Sequence, residues 1–260
     1  MVRMRWLITG TSTGFGRALA VAARDAGHEV IAAARKLDDL ADLEGVEKLR
    51  LDLSAVGPVP EADVLVNNAG FGLLGAFEEL TDAELRESFE VNLFGALALT
   101  RAVLPGMRAR GYGRIVQMSS VIGVTSGLGG AAYAGPKAAL EAISVALAAE
   151  VASFGVRVTI VQPGPFRTAF GGASLRWARP LPAYAPIVGP PRAAFEASHG
   201  SQPNDPVRGA RAILAAIAAA DPPLHLPLGP EAFTWIAAHL QGRIDALEPV
   251  RALGSATPYA

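Results

Sequence analysis

Arg5–Thr9 is a short apolar run that passes directly into Gly10-Thr-Ser-Thr-Gly14-Phe-Gly16, and a helical pattern then runs from Arg17 to Ala26 and stops at Gly27. A strand, a glycine-rich turn and a helix in that order form the context a dinucleotide fingerprint requires. Small residues let the backbone approach a pyrophosphate, and the helix N-terminus supplies free N–H groups and a favourable dipole. The spacing is G-x-x-x-G-x-G rather than G-x-G-x-x-G, so an ordinary glycine-rich turn is the competing reading. Few folds accept this unit. It predicts an α/β chain.

The downstream pattern repeats the alternation. Strands are predicted at Glu29–Ala34, Lys48–Leu51, Asp63–Val66, Arg114–Met118 and Arg157–Val161, with an edge strand at Leu224–Leu228. The 53–62 connection, with Pro58 and Pro60, is too short for a crossover carrying a full helix. Thr81-Asp-Ala-Glu84 is a capping box opening a long helix towards Pro105 or Arg110. Asn92 falls on the apolar stripe of that helix with Leu85, Phe89 and Ala96; a buried Asn must be hydrogen-bonded, as a structural bridge or as part of a site. Helices are also expected over Pro206–Ala219 and around Glu231–Leu247. The 166–205 segment is rich in Pro and Gly yet carries Phe166, Phe170, Trp177, Tyr184 and Phe195. It reads as a lid over an apolar pocket, with a disordered stretch as the alternative. Strands and helices alternating behind a glycine-rich first turn give a doubly wound (Rossmann) mostly parallel sheet flanked by helices, in one domain over residues 1–260.

The candidate chemistry lies between Gly113 and Lys137. A helix expected to start at about Tyr133 puts Tyr133 and Lys137 on one face, one turn apart, with Pro136 in its first turn. A lysine ammonium near a phenol is expected to lower the tyrosine pKa and to ready it for proton exchange with a substrate oxygen. Ser120, just past the strand, can donate a hydrogen bond to the same oxygen. Tyr-x-x-x-Lys alone is a weak signal, since a surface pair on any helix has the same spacing.

Composition closes off other functions. With a net charge of −1 the chain lacks the basic face a nucleic-acid partner wants. There is no cysteine, which excludes disulfides and thiolate metal sites, and the four scattered histidines have no zinc-type spacing, so no metal is expected. The N-terminal apolar run is too short for a secretory signal and no segment qualifies as a membrane span, so a cytoplasmic protein is expected.

Five motifs agree in kind, order and spacing with one family: T-G-T-S-T-G-F-G, N-N-A-G, Asn92, Ser120 with Y-A-G-P-K, and P-G-P-F-R-T. Over nearly its whole length the sequence resembles a short-chain dehydrogenase/reductase. N-N-A-G-F-G-L-L-G and F-E-V-N-L-F-G are most similar to the hydroxysteroid and retinol dehydrogenase-like branch. The resemblance implies an NADP(H)-dependent oxidoreductase of hydrophobic alcohols and their ketones or aldehydes, with Asn92, Ser120, Tyr133 and Lys137 as the catalytic set. Tyr133 would exchange the proton and Lys137 would hold the ribose hydroxyls, while Asn92 would hold a water linking Lys137 to solvent. Cofactor contacts are implied at Gly10, Thr11, Ser12, Gly14, Phe15, Gly16, Arg35, Asp52, Leu53, Asn68, Ala69, Gly70, Pro163, Gly164, Phe166 and Thr168, besides Tyr133 and Lys137. Asp52 would meet the adenine, Asn68 and Gly70 would flank a ribose, and Thr168 would anchor the carboxamide. NAD-binding members carry an acidic residue at the end of the second strand; here Arg35-Lys36 stands there, which favours NADP(H) over NAD(H), unless the two are simply a solvated turn. Two departures stand out: the short 53–62 crossover, and Gly135-Pro136 where Ala-Ser is commoner. Retention of Tyr133 and Lys137 argues against the main alternative, a non-catalytic NADP(H)-binding protein, and the intact glycine turn argues against a dehalogenase. The helices Leu85–Arg110 and Ala131–Phe154 are apolar almost all round, and family members commonly pair through them, so a homodimer or homotetramer is expected.

Overall fold

The computed structural model describes residues 2–257; Met1 and residues 258–260 of the expected 1–260 domain lie outside the described residues. Seven strands form one parallel sheet: β1 (Arg5–Thr9), β2 (Glu29–Ala34), β3 (Glu47–Arg50), β4 (Val64–Asn67), β6 (Gly113–Met118), β7 (Val156–Pro163) and β9 (His225–Leu228), in the order β3-β2-β1-β4-β6-β7-β9. Two further short strands, β5 (Gly72–Leu74) and β8 (Leu175–Trp177), pair in parallel outside the main sheet. The helices are α1 (Gly14–Asp25), α2 (Asp82–Phe89), α3 (Gly95–Arg110), α4 (Val121–Thr125), α5 (Ala131–Val151), α6 (Ala185–Ala197), α7 (Pro206–Ala218), α8 (Pro230–Asp245) and a final turn, α9 (Arg251–Gly254). The expected strands and long helices are present with ends shifted by up to three residues, and no helix occupies the 53–62 connection.

The sheet is buried on both faces because its strands alternate between two helix layers. Trp6 and Ile8 of β1 pack with Leu19, Val66, Ile213 and Ile217 on the α1/α7 side. Leu7 between them points the other way, to Leu65, Leu99, Val103 and Ile115 beneath α3. This is why central strands such as β1, β2 and β4 read as continuous apolar runs, whereas the edge strand β3 is polar and mostly exposed. The strand order reverses between β1 and β4, and the crevice outside the carboxyl ends of the strands at such a switch point is where doubly wound sheets bind ligands.

Two elements differ from expectation. The long helix is interrupted by a π-helical turn at Glu90–Phe94, which carries Asn92. The 166–205 segment is ordered throughout: β8 pairs with β5, and α6 forms although Pro190 and Pro191 stand inside it. Those prolines leave the carbonyls of Pro186 and Ile187 without helical donors, and both residues are exposed to solvent. Tyr184 donates its hydroxyl to Glu78 at 2.7 Å and Leu181 N–H bonds Glu79 at 2.8 Å, fastening the segment to the body.

His28 is buried against Trp6, with ring centroids 5.6 Å apart, and its Nδ1 accepts the Met4 N–H at 3.2 Å. Burial holds the imidazole pKa below its ordinary 6.5. The unfolded chain therefore takes up this proton first as pH falls, so stability is intact above about pH 6.5 and declines below it. The melting temperature is expected to fall between about pH 7.5 and pH 5.5, and to fall less in His28→Asn. Equal falls in the two proteins would remove His28 from the account.

Candidate active site

A cleft of about 1490 Å³ opens at the carboxyl ends of β1, β2, β4, β6 and β7. Its floor is the turn between β1 and α1, where Gly10, Ser12, Thr13, Gly14 and Phe15 line the wall. Glycine is required here for space as well as conformation. A Cβ on Gly10 (φ +69°) would sit 2.8 Å from Ala69 Cα, and one on Gly16 would collide with the Gly10 carbonyl oxygen. Gly16 is thus held as glycine by its packing against Gly10 and Asn68. The side chain of Thr11 turns inward. It is fully buried and its hydroxyl donates to Ala33 O at 3.1 Å, so it braces β1 to β2 and turns away from the cleft. Thr13, which the sequence reading passed over, lines it instead.

The other expected positions line the same cleft: Arg35, Asp52, Leu53, Asn68, Ala69, Gly70, Ser120, Tyr133, Lys137, Pro163, Gly164, Phe166 and Thr168. Asp52 is fixed by its own turn, accepting from Ser54 N at 2.9 Å and Ser54 Oγ at 2.7 Å, and these bonds hold its carboxyl below the usual carboxylate range. Asn68 donates its amide to Thr9 O at 2.8 Å and Gly10 O at 3.2 Å, which locks the end of β4 to the glycine turn. Thr168 caps the next turn through Phe170 N at 3.2 Å and faces Gly14 across the cleft. Phe166 packs on Phe15 with centroids 4.7 Å apart.

Asn92 does not line the cleft. Its Oδ1 accepts from Phe71 N at 3.0 Å and its Nδ2 donates to Phe71 O at 3.0 Å and Ser88 Oγ at 3.1 Å. The side chain therefore bridges Phe71 and Ser88 and uses both Nδ2 protons. Gly70 separates it from Lys137: a Cβ there would meet Asn92 Oδ1 at 2.5 Å and Lys137 Nζ at 3.7 Å.

Tyr133 and Lys137 lie on α5, which starts at Ala131, so Pro136 stands past the first turn rather than within it. Both side chains are buried. Ser120 enters from the end of β6, where its hydroxyl caps α4 through Ile122 N at 3.3 Å. The phenol pKa is not lowered as expected. Burial pushes it above its ordinary 10.0, and the Ser120 hydroxyl recovers only part of that rise. Lys137 Nζ donates to Met118 O at 2.6 Å and lies 5.8 Å from the Tyr133 ring centre. Burial also pushes Lys137 down, to about 8, against the opposing pull of Glu141. Glu141, one turn further along α5, was not singled out from the sequence although its spacing from Lys137 is helical. Its buried carboxylate accepts from Ser119 Oγ at 2.6 Å and Gln162 Nε2 at 2.8 Å, tying the ends of β6 and β7 together beneath Lys137.

The far wall is apolar. Phe170 packs on Tyr133 with centroids 5.3 Å apart, and Leu74, Ile122, Leu175, Phe195 and Trp235 continue the lining. Arg176 lies at the rim, 4.1 Å over the Phe71 ring and 2.9 Å from Glu87. Among the described residues no group of three or more His, Cys, Asp or Glu is placed to hold a metal, and no helix is long and apolar enough to cross a membrane.

The strand order, the glycine turn at the switch point and the Tyr–Lys wall define a Rossmann-type α/β protein with a large mixed polar and apolar cleft. Residues 39–178 match the family described as short chain dehydrogenase. The chain belongs to that family, and it is an oxidoreductase of the type that acts on CH–OH groups. It is 35% identical over 247 residues to the oxidoreductase BOA17 of Botryotinia fuckeliana (strain B05.10), covering 88% of this chain and 90% of that one. It is 39% identical over 189 residues to human retinol dehydrogenase 8, covering 65% of this chain and 61% of the human protein, in keeping with the resemblance to the retinol dehydrogenase-like branch. A short-chain dehydrogenase from Streptomyces avermitilis superposes with a TM-score of 0.91 at 42% identity over 98% of each chain. A metagenomic short-chain oxidoreductase solved with NADP matches with a TM-score of 0.58 at 32% identity, over 62% of this chain and 81% of that one.

Proposed function

We propose that this protein interconverts a hydrophobic alcohol and its ketone or aldehyde with NADP(H), Tyr133 acting as general acid and base. The observation that carries the reading is the convergence of Ser120, Tyr133 and Lys137 on one wall of the cleft whose floor is the glycine turn. That floor fits a dinucleotide. Gly10, Ser12, Thr13 and Gly14 line it with small residues, and the N-terminus of α1 has no side-chain cap, so its free N–H groups could take an anion. The NADP-bound metagenomic relative supports the choice of cofactor. Asn68, Ala69 and Gly70 would wall the ribose side, and Pro163, Gly164 and Thr168 the nicotinamide side. The bound nicotinamide would supply or accept the hydride.

The remaining work falls to the chain. Ser120 and the Tyr133 hydroxyl bind the reacting oxygen and orient the carbonyl. The phenol is protonated near neutral pH, so Tyr133 can donate its proton as the oxygen gains charge during reduction. Lys137, held on the Met118 carbonyl in the same wall, would hold the ribose hydroxyls of the nicotinamide. The 166–205 segment acts as the substrate lid: Phe170 and Phe195 shield the reacting centre from water, and an apolar substrate lies against them. The test is NADPH absorbance on mixing with a panel of hydrophobic ketones and aldehydes. Oxidation of NADPH by apolar carbonyls and not by small polar ones is expected; no oxidation with any of them overturns the reading in favour of a cofactor-binding protein without turnover.

Ile143 and Val145 on α5 are exposed, as are Phe94 at the end of the π-helical turn before α3 and Phe154 in the turn after α5. A second copy of the chain would cover them, and this supports a homodimer. Light scattering at micromolar concentration is expected to give at least twice the 26.9 kDa chain mass, and a monomeric mass would count against the pairing.

A further inference from the structure

Pro136 removes a hydrogen bond from the helix that carries Tyr133. An α-helix pairs each N–H with the carbonyl four residues earlier, so the partner that Pro136 fails to supply belongs to Ala132, the residue directly before Tyr133. Ala132 is fully buried, and water cannot take the place of that donor. The Ser88 hydroxyl does. It reaches across from α2 and donates to Ala132 O at 2.6 Å, and Ser88 is itself fully buried. A serine hydroxyl has one proton to give and lone pairs to receive with, and here both sides are used: Ser88 Oγ accepts from Asn92 Nδ2 at 3.1 Å. Asn92 in turn clamps both backbone groups of Phe71, next to Gly70 in the cleft wall. Gly135 completes the contact, since a Cβ there would meet the Phe89 ring at 3.1 Å.

We propose that Ser88 is a positioning residue for Tyr133: its hydroxyl replaces the N–H that Pro136 lacks and couples the first turn of α5, through Asn92, to the Phe71–Gly70 wall of the cleft. The inference rests on the reading of Tyr133 as the proton-transfer group. Without the hydroxyl, Ala132 O and one proton of Asn92 Nδ2 are both left buried and unpaired. The local response is a shift of the turn that aims the phenol.

Pro136→Ala provides the test, because it restores the N–H that Ser88 stands in for. Four proteins are compared: wild type, Ser88→Ala, Pro136→Ala and the double variant. The readouts are kcat and KM for a ketone substrate, NADPH affinity by fluorescence, and melting temperature. Ser88→Ala is expected to lower kcat by about tenfold or more, with KM and NADPH affinity changed by less than about threefold. In the Pro136→Ala background the same substitution should cost less than about threefold in kcat, and the fall in melting temperature should shrink in parallel. Equal losses in the two backgrounds overturn the proposal. So does a fall in melting temperature with kcat per folded enzyme unchanged, since that is a structural bond alone. If Ser88→Ala does not fold by itself, the double variant against Pro136→Ala decides: a stable, active double variant supports the replacement, and an unfolded one overturns it. Turnover retained in Tyr133→Phe would sink the acid–base reading separately, whatever the melting-temperature cycle between Ser88 and Pro136 returns.

Discussion

Replacing Tyr133 with phenylalanine is expected to lower kcat by roughly 10²–10⁴-fold, the usual contribution of a positioned general acid or base. That range corresponds to about 2.7–5.5 kcal/mol of transition-state stabilisation. NADPH affinity should change little, because the ring remains to pack against Phe170 and only the hydroxyl is lost. Ser120→Ala should cost less, since it removes one hydrogen bond to the developing oxyanion and leaves the proton donor in place. The order of the two effects matters as much as their size. Stopped-flow measurement of NADPH oxidation with each variant at saturating ketone separates them. Substantial turnover in Tyr133→Phe would refute the assignment of the acid–base role.

Arg35→Ala is expected to reduce the preference for NADPH over NADH on the order of ten- to a hundredfold. Arg35 stands at the end of β2 and lines the cleft, where its guanidinium can pair a 2′-phosphate with charge-assisted bonds. Hydrogen bonds to charged groups contribute roughly 1.5–3 kcal/mol, and about 1.4 kcal/mol is a tenfold change. The hydroxyl donors that can assist are those of Ser12 and Thr13, which line the cleft, and not that of Thr11, which is committed to Ala33 O. Asp39 shares the same rim, and its carboxylate opposes a phosphate, so the preference rests on the arginine. The measurement is the ratio of kcat/KM for the two cofactors in wild type and variant. A wild-type ratio near one, or a ratio unmoved by the substitution, would leave Arg35 and Lys36 as a solvated turn.

By itself the sequence determined the fold class and the outline of the site. Apolar runs bounded by glycine, with a helical period between them, are local signals, and Gly10-x-x-x-Gly14-x-Gly16 after β1 is readable without knowing what surrounds it. Tyr133 and Lys137 share a face because helix geometry alone puts them there. Tertiary structure decided what each group is free to do. Asn92 was legible as a polar residue on an apolar stripe, but only the fold shows its amide spent on Phe71. Thr11 and Ser12 are neighbours of similar chemistry, and the packing of β1 against β2 turns one inward and leaves the other in the cleft. The order in the 166–205 segment comes from β8 pairing with β5 and from Glu78 and Glu79, about a hundred residues away, which no local pattern in a Pro-rich stretch reveals. Proximity predicted a lowered phenol pKa. Burial outweighed it, because Tyr133 is removed from water, and desolvation depends on everything packed around a group rather than on the residue four positions along.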